Sequence, residues 1–202
     1  MIDRAHITGV VLAGGQGRRM GGADKGLLLF RGQPLVCHGL AALDEVAGHV
    51  LINANRHLDR YRQLGHRVIT DATDCYEGPL AGLLSALHSA TTPYTLTLPC
   101  DTPLMTGPML RRLAVALAAS DAELAVADDG IRLHPVFLLA KTRIAGALER
   151  YLETGQRKVQ VFIESQPSIR VDYSDRPELF TNINTPHDLL ALEQPGANSD
   201  RP

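Results

Sequence analysis

No sign of charge dominates this sequence: 20 Lys and Arg stand against 22 Asp and Glu, a formal net charge of −2. That balance excludes a protein built to coat a nucleic acid backbone, so any anion must be held by local groups. Cysteine is scarce. Cys37, Cys75 and Cys100 are odd in number and contain no Cys-x-x-Cys pair, which argues against both a disulfide framework and a thiolate zinc site. A reducing, cytoplasmic setting is expected. No apolar run approaches about 20 residues, so no membrane span is expected. Residues 1–13, with Asp3, Arg4 and His6, lack the layout of a secretory signal. Internal repeats are absent, and only 194–202, rich in Pro, Gly, Asn, Ser and Asp, reads as a disordered tail. None of the eight histidines lies in a His-Glu-x-x-His spacing, and no Ser or Cys has an evident general base nearby.

What is present is a chain of 202 residues, 45% of them hydrophobic, enough for one domain over 1–193 with a substantial core. Ile7, Val10, Val11 and Leu12 form a partly β-branched apolar run ending at Gly14-Gly15, the pattern of a buried strand that feeds a loop. An extended piece over 27–30 and an Arg31-Gly32 turn follow, and Pro34 suits the first turn of a helix reaching about Glu45. Further strands are predicted at 50–52, 67–70, 94–98, 124–127, 135–139 and 169–172. Helices are predicted at 58–64, 79–90, 108–119, 142–154 and 159–163 and from Pro186 onward. Strand and helix alternate through the first half, the signature of parallel βαβ units. Such sheets bind ligands beyond the carboxyl ends of their strands, where Gly14-Gly15, Asn53 and Asp101 fall.

The loop at 12–25 reads Leu-Ala-Gly-Gly-Gln-Gly-Arg-Arg-Met-Gly-Gly-Ala-Asp-Lys. A dinucleotide fingerprint needs glycine three residues after Gly17, where Met20 stands. A P-loop needs Lys25 in a Gly-Lys-Ser/Thr context, but Asp24 and Gly26 flank it. What remains is a strand followed by closely spaced glycines with Arg18, Arg19 and Lys25 among them. Glycines let several backbone N–H groups converge on one anion, and the cations neutralise outer phosphates, so the loop reads as a triphosphate cradle. Asp101, alone at a strand end beside such a cradle, is the type of ligand Mg²⁺ prefers; a turn cap before Thr106 is its structural alternative. Arg157-Lys158 at a helix start oppose the helix dipole and so ask for an anionic partner, or else form a solvated face. Thr185-Pro186 with Asp188 reads as a helix cap, and His134 as a packed histidine as readily as a functional one.

The run 12–25 resembles the signature loop of the molybdenum cofactor guanylyltransferases, within the wider sugar-nucleotide type of nucleotidyltransferase. Further similar segments are Asn53-Ala54-Asn55-Arg56, Gly78-Pro79-Leu80-Ala81-Gly82, Pro99-Cys100-Asp101-Thr102-Pro103, His134-Pro135, Arg157-Lys158-Val159 and Asn182-Ile183-Asn184-Thr185-Pro186, which together reach across nearly the whole chain. Lys158 stands where a second arginine is expected. The resemblance implies an α/β, three-layer sandwich with a mostly parallel, doubly wound, Rossmann-like central sheet of the nucleotide-diphospho-sugar transferase type. It implies transfer of GMP from GTP to molybdenum-molybdopterin, with Mg²⁺ on Asp101 and pyrophosphate released. Leu12, Ala13, Gly14, Gly15, Asn53 and Asp71 are then nucleotide contacts, with Lys25 and Asp101. Arg19 and Lys25 face the β- and γ-phosphates, and Arg157, Lys158, Asn182 and Asn184 hold the pterin. The resemblance also implies transient contact with molybdoenzymes or cofactor-assembly proteins, while charge balance and the lack of a long apolar run lead to the expectation of neither nucleic acid nor membrane as partner. Two alternatives stay open at this level: a CTP-dependent cytidylyltransferase on the same scaffold, since the loop does not choose the base, and a non-catalytic nucleotide or pterin carrier, which would release no pyrophosphate.

Overall fold

The computed structural model describes residues 1–14, 24–71 and 78–193. The first half holds β1 (Ile7–Leu12), β2 (Leu29–Phe30), β3 (Gln33–Pro34), α1 (Leu35–Asp44), β4 (His49–Asn53), α2 (Leu58–Arg62), β5 (Arg67–Ile69), α3 (Pro79–Ser89) and β6 (Tyr94–Pro99). The second holds α4 (Gly107–Ala118), β7 (Leu124–Asp128), β8 (Leu133–Lys141), α5 (Ala145–Glu153), α6 (Val159–Glu164), β9 (Ser168–Asp172) and α7 (Pro186–Glu193).

Seven strands form one sheet in the order β5-β4-β1-β6-β8-β7-β9. β1 pairs in parallel with β4 and β6, setting Val10 opposite Leu51 on one side and Thr97 on the other. β4 with β5 and β7 with β9 are also parallel, whereas β8 runs against both β6 and β7. The sheet is therefore mostly parallel with one reversed strand. The reversal has a local cause: four residues join β7 to β8, too few for a crossover, so the pair can only be a hairpin. Pro135 sits where the β7–β8 register slips between Val126 and Ala127, a bulge that tolerates a residue with no N–H to donate.

Alternation along each strand sends side chains into two separate layers. On one face, Val11 and Leu98 pack with Leu40 and Leu43 of α1 and Leu110 and Leu113 of α4. On the other, Val10 and Leu51 meet Ala86 of α3. There too, Leu124, Val126 and Leu138 pack with Leu83 and Leu87 of α3, Leu148 of α5 and Phe162 of α6. Helices thus cover both faces, which is why the central strand β1 is a continuous buried run rather than an alternating one. No described helix is long and apolar enough to cross a membrane.

One detail departs from the expected outline, and one expected turn takes a specific form. Pro34 closes β3 and occupies the position just before α1, which begins at Leu35. The Arg31-Gly32 turn has positive φ at both residues, 49° and 77°, which suits a tight two-residue hairpin between β2 and β3.

α3 approaches the end of β4 so closely that only glycine fits at its second turn. A Cβ on Gly82 would lie 2.9 Å from Asn53 Oδ1 and 3.3 Å from Leu12 Cδ2. Gly82→Ala is expected to destabilise the fold by about 1–3 kcal/mol through overpacking. A thermal melt checks this, at about 2–4 °C per kcal/mol for a chain of this size.

Candidate active site

The polar residues gather at the carboxyl edge of the sheet because the backbone ladder continues one residue past the strands. Ala13 N donates to Asn53 O (2.7 Å), Ala54 N to Ile69 O (2.9 Å) and Cys100 N to Leu12 O (3.1 Å). The ends of β1, β4, β5 and β6 are thereby held level, with Gly14, Asn53, Asp71 and Asp101 placed along one rim.

One group forms at β4 and β5. Asn53, buried at 1% exposure, donates through Nδ2 to Asp71 Oδ1 at 2.9 Å. Asn55 Nδ2 donates to Asp71 Oδ2 at 2.7 Å, and Asp71 N returns a bond to Asn55 Oδ1 at 2.9 Å. Both Asp71 oxygens therefore have fixed directions. A Cβ on Gly14 would come within 2.9 Å of Asn55 Nδ2, so the first glycine of the loop lets the chain pass against this cluster. Asn55 completes the group, and its place two residues after Asn53 on a strand end was the available signal.

A second group forms at β6. Lys25, in a 3-10 turn Lys25–Leu27, reaches Asp101 Oδ2 at 3.4 Å and donates to Asn184 Oδ1 at 2.5 Å. Ile183 N donates to Asp101 O at 2.8 Å, stitching the C-terminal segment to the same point. Asn184, expected on the pterin side, thus touches the lysine expected on the phosphate side. Asp188 explains how that segment is held: its carboxylate accepts from Asn184 N and Thr185 N, and Thr185 Oγ1 accepts from Asp188 N. This is the capping arrangement anticipated at the start of α7.

Asp101 is the least compensated acid here. Burial is the largest influence on it and raises its pKa, while Lys25 and more weakly Asn182 pull the other way. Its Oδ1 is buried with no hydrogen-bond partner among the described residues. A buried carboxylate oxygen that lacks a donor is suited to a cation, because the charged form is otherwise disfavoured. Among the described residues no three His, Cys, Asp or Glu side chains group as metal ligands, so a metal here would rely on few protein ligands together with ligand phosphates and water, the Mg²⁺ habit. Neighbouring Cys100 is buried and its thiol is pushed well up by that burial, which removes it as a nucleophile.

Arg157 and Lys158 occupy a third place. β8 ends opposite the start of β6, so α5 leaves from the amino edge, and the connection to α6 returns to the carboxyl edge. There Arg157 Nη1 donates to Leu152 O (2.8 Å) and Gln156 O (2.7 Å), capping the end of α5, and Tyr151 Oη donates to Lys158 O (2.9 Å). Gly15 and Arg19 lie outside the described residues, as do Cys75 and the tail 194–202. A cavity of about 390 Å³ opens at the opposite edge between the starts of β1, β4 and β5, lined in part by Thr8, His49 and Arg67, and holds none of the candidate site residues.

His134 proves structural in its contacts. Its Nε2 is 2.7 Å from Asp129 Oδ2 and its ring stacks on Phe180 at 3.9 Å, behind the segment that carries Asn182 and Asn184. Burial alone would raise the Asp129 pKa, but the bond to His134 and the backbone N–H groups of Arg132 and Ile131 outweigh it and hold the acid at about 2. A depressed carboxyl pKa stabilises the fold above the ordinary value of 3.8, and that contribution disappears as pH falls from there toward about 2. Asp129→Ala is therefore expected to flatten the pH dependence of stability between about pH 4 and pH 2, as read by urea midpoints across that range.

A doubly covered, mostly parallel sheet with a lysine and a buried acid meeting at its carboxyl edge is the frame of a nucleotidyltransferase. A family model described as the MobA-like NTP transferase domain matches residues 9–169. A molybdenum cofactor guanylyltransferase of Pasteurella multocida is 46% identical over 183 residues, covering 91% of this chain and 97% of that protein. One of Shewanella loihica is 40% identical over 189 residues, with 94% and 96% covered. The chain belongs to the molybdenum cofactor guanylyltransferase family. In fold it is similar to molybdopterin-guanine dinucleotide biosynthesis protein A of Archaeoglobus fulgidus, with TM-score 0.75, 22% identity, and 92% of this chain and 96% of that one covered. The 2-C-methyl-D-erythritol 4-phosphate cytidylyltransferase of Thermus thermophilus gives TM-score 0.68 at 19% identity, with 91% and 96% covered.

Proposed function

We propose that the protein transfers GMP from GTP to the terminal phosphate of molybdenum-molybdopterin in the cytoplasm, releasing pyrophosphate and forming the guanine dinucleotide cofactor. The observation that carries this reading is the Lys25–Asp101–Asn184 contact, which joins a phosphate-facing cation, a cation-seeking acid and the C-terminal segment in one place. A pterin phosphate oxygen attacks the α-phosphorus of GTP, a new P–O bond forms, and the bond to the bridging oxygen of pyrophosphate breaks. The attacking oxygen is already anionic, so no general base is required. Anion meets anion, and the work of the protein is positioning and charge neutralisation.

In this reading Asn53, Asp71 and the loop residues Leu12, Ala13, Gly14 and Gly15 hold the nucleotide. Lys25 and Arg19 face the β- and γ-phosphates and stabilise the leaving group. Asp101 would hold Mg²⁺, whose chemistry here would be charge neutralisation at the phosphates. Asn182, Asn184, Arg157 and Lys158 hold the pterin, so the N-terminal half of one domain serves the nucleotide and the C-terminal half the acceptor. The product then passes by transient contact to molybdoenzymes or cofactor-assembly proteins.

The test is radiolabelled nucleotidyl transfer to molybdopterin from GTP and from CTP in parallel. The proposal expects transfer from GTP with stoichiometric pyrophosphate. Equal or better use of CTP would defeat the guanylyl assignment, and binding without pyrophosphate would indicate a carrier.

A further inference from the structure

Lys25 must be aimed, yet it sits on a three-residue turn that follows a glycine-rich loop. What holds that turn is a buried contact outside the reacting groups. Tyr61, on α2, is fully buried, and its hydroxyl donates to Asp24 Oδ1 at 2.6 Å. Asp24 is itself 9% exposed and directly precedes Lys25. Its carboxylate does not cap the turn it precedes, since no side-chain bond from Asp24 to that turn is formed. The hydroxyl of Tyr61 is instead its described side-chain partner.

The residue on the other side of Lys25 supplies an independent sign of the same fit. A Cβ on Gly26 would overlap the Tyr61 hydroxyl oxygen and would stand 3.4 Å from Ala13 Cβ. The turn is therefore wedged between Tyr61 and the end of β1, with glycine required so that the hydroxyl can reach past to Asp24. Burial foremost, and then the bond to Asp24, push the Tyr61 pKa far up, so the phenol remains a donor at any working pH. From these contacts we infer that Tyr61 is a positioning residue: through Asp24 it fixes the Lys25 turn so that the ammonium meets Asp101, Asn184 and the departing phosphates. The inference rests on the proposed reaction only for its kinetic readout.

Tyr61→Phe removes the one oxygen and keeps the ring. The expected result is turnover lowered about 10-fold or more with the KM for GTP within about 2-fold, since aim matters in the transition state more than in binding. Asp24→Ala breaks the same bond from its other end and should give a similar loss, and the double variant should lose no more than either single one. In a Lys25→Ala background, Tyr61→Phe should have no further effect. A second readout needs no turnover: competitive amine labelling followed by mass spectrometry should show Lys25 several-fold more reactive in Tyr61→Phe, with Lys141 unchanged. Equal Lys25 reactivity together with additive effects in both cycles would overturn the inference. If Tyr61→Phe does not fold, Asp24→Ala carries the same labelling and cycle tests with Lys25→Ala. If the unaltered protein releases no pyrophosphate from GTP, the proposed reaction fails, and the labelling result alone decides the role of Tyr61.

Discussion

Asp101→Asn is expected to lower turnover by about 10³-fold or more while leaving the fold at least as stable as before. The kinetic part follows, in the proposed reaction, from losing the carboxylate that would hold the divalent ion, at a position where the described residues offer no group of three or more His, Cys, Asp or Glu as an alternative. The stability part follows from the direction of the pKa shift. Burial raises the Asp101 pKa above 3.8, so the folded state resists its ionisation. Stability from this group is greatest below 3.8 and declines as pH climbs through the raised value, so keeping this acid charged costs the metal-free fold stability. Asparagine cannot ionise and removes that cost, and its amide oxygen still accepts from Lys25. Thermal melts in EDTA should give a midpoint equal to or above that of the unaltered protein. Added Mg²⁺ with GTP should raise the midpoint of the unaltered protein much more than that of the variant. A variant that is both inactive and clearly less stable in EDTA would show that Asp101 is a structural acid.

Lys25→Ala should lower turnover by about 10²-fold or more, with a smaller change in the KM for GTP. The ammonium lies 3.4 Å from Asp101 and 2.5 Å from Asn184, and in the proposed reaction it faces the leaving group. Charge on the bridging oxygen grows only as the bond breaks, so a cation aimed there acts mainly on the transition state. Its removal also deprives Asp101 of the main neighbour that lowers its pKa, so the acid should titrate higher in the variant. Steady-state kinetics decide the matter. Unchanged turnover would remove Lys25 from the mechanism, and a rise in KM with unchanged turnover would assign it to binding alone.

Much of this was legible before any coordinates because strand ends announce themselves. An apolar β-branched run stopped by Gly14, Asn53 or Asp101 marks both a buried strand and the rim beyond it. The Thr185, Pro186 and Asp188 cap was equally plain, since its chemistry is local. Strand direction was harder. β8 inserts between β6 and β7 in the opposite sense. The sign of it was Asp129-Gly130 between two apolar runs, a hairpin signal easily read as one more loop. Contacts across the chain left no trace that spacing could supply. Asn184 on Lys25 spans 159 residues and Tyr61 on Asp24 spans 37, and both arise only once the segment before α7 and the helix α2 are in place. His134 likewise revealed its role only through Asp129 and Phe180.

The most direct test is a crystal structure of the protein soaked with GTP and Mg²⁺. The account predicts the ion on Asp101 Oδ1, the β- and γ-phosphates turned toward Lys25, and guanine beside Asn53 and Asp71. Guanine at the amino edge of the strands, or a metal bound away from Asp101, would contradict it.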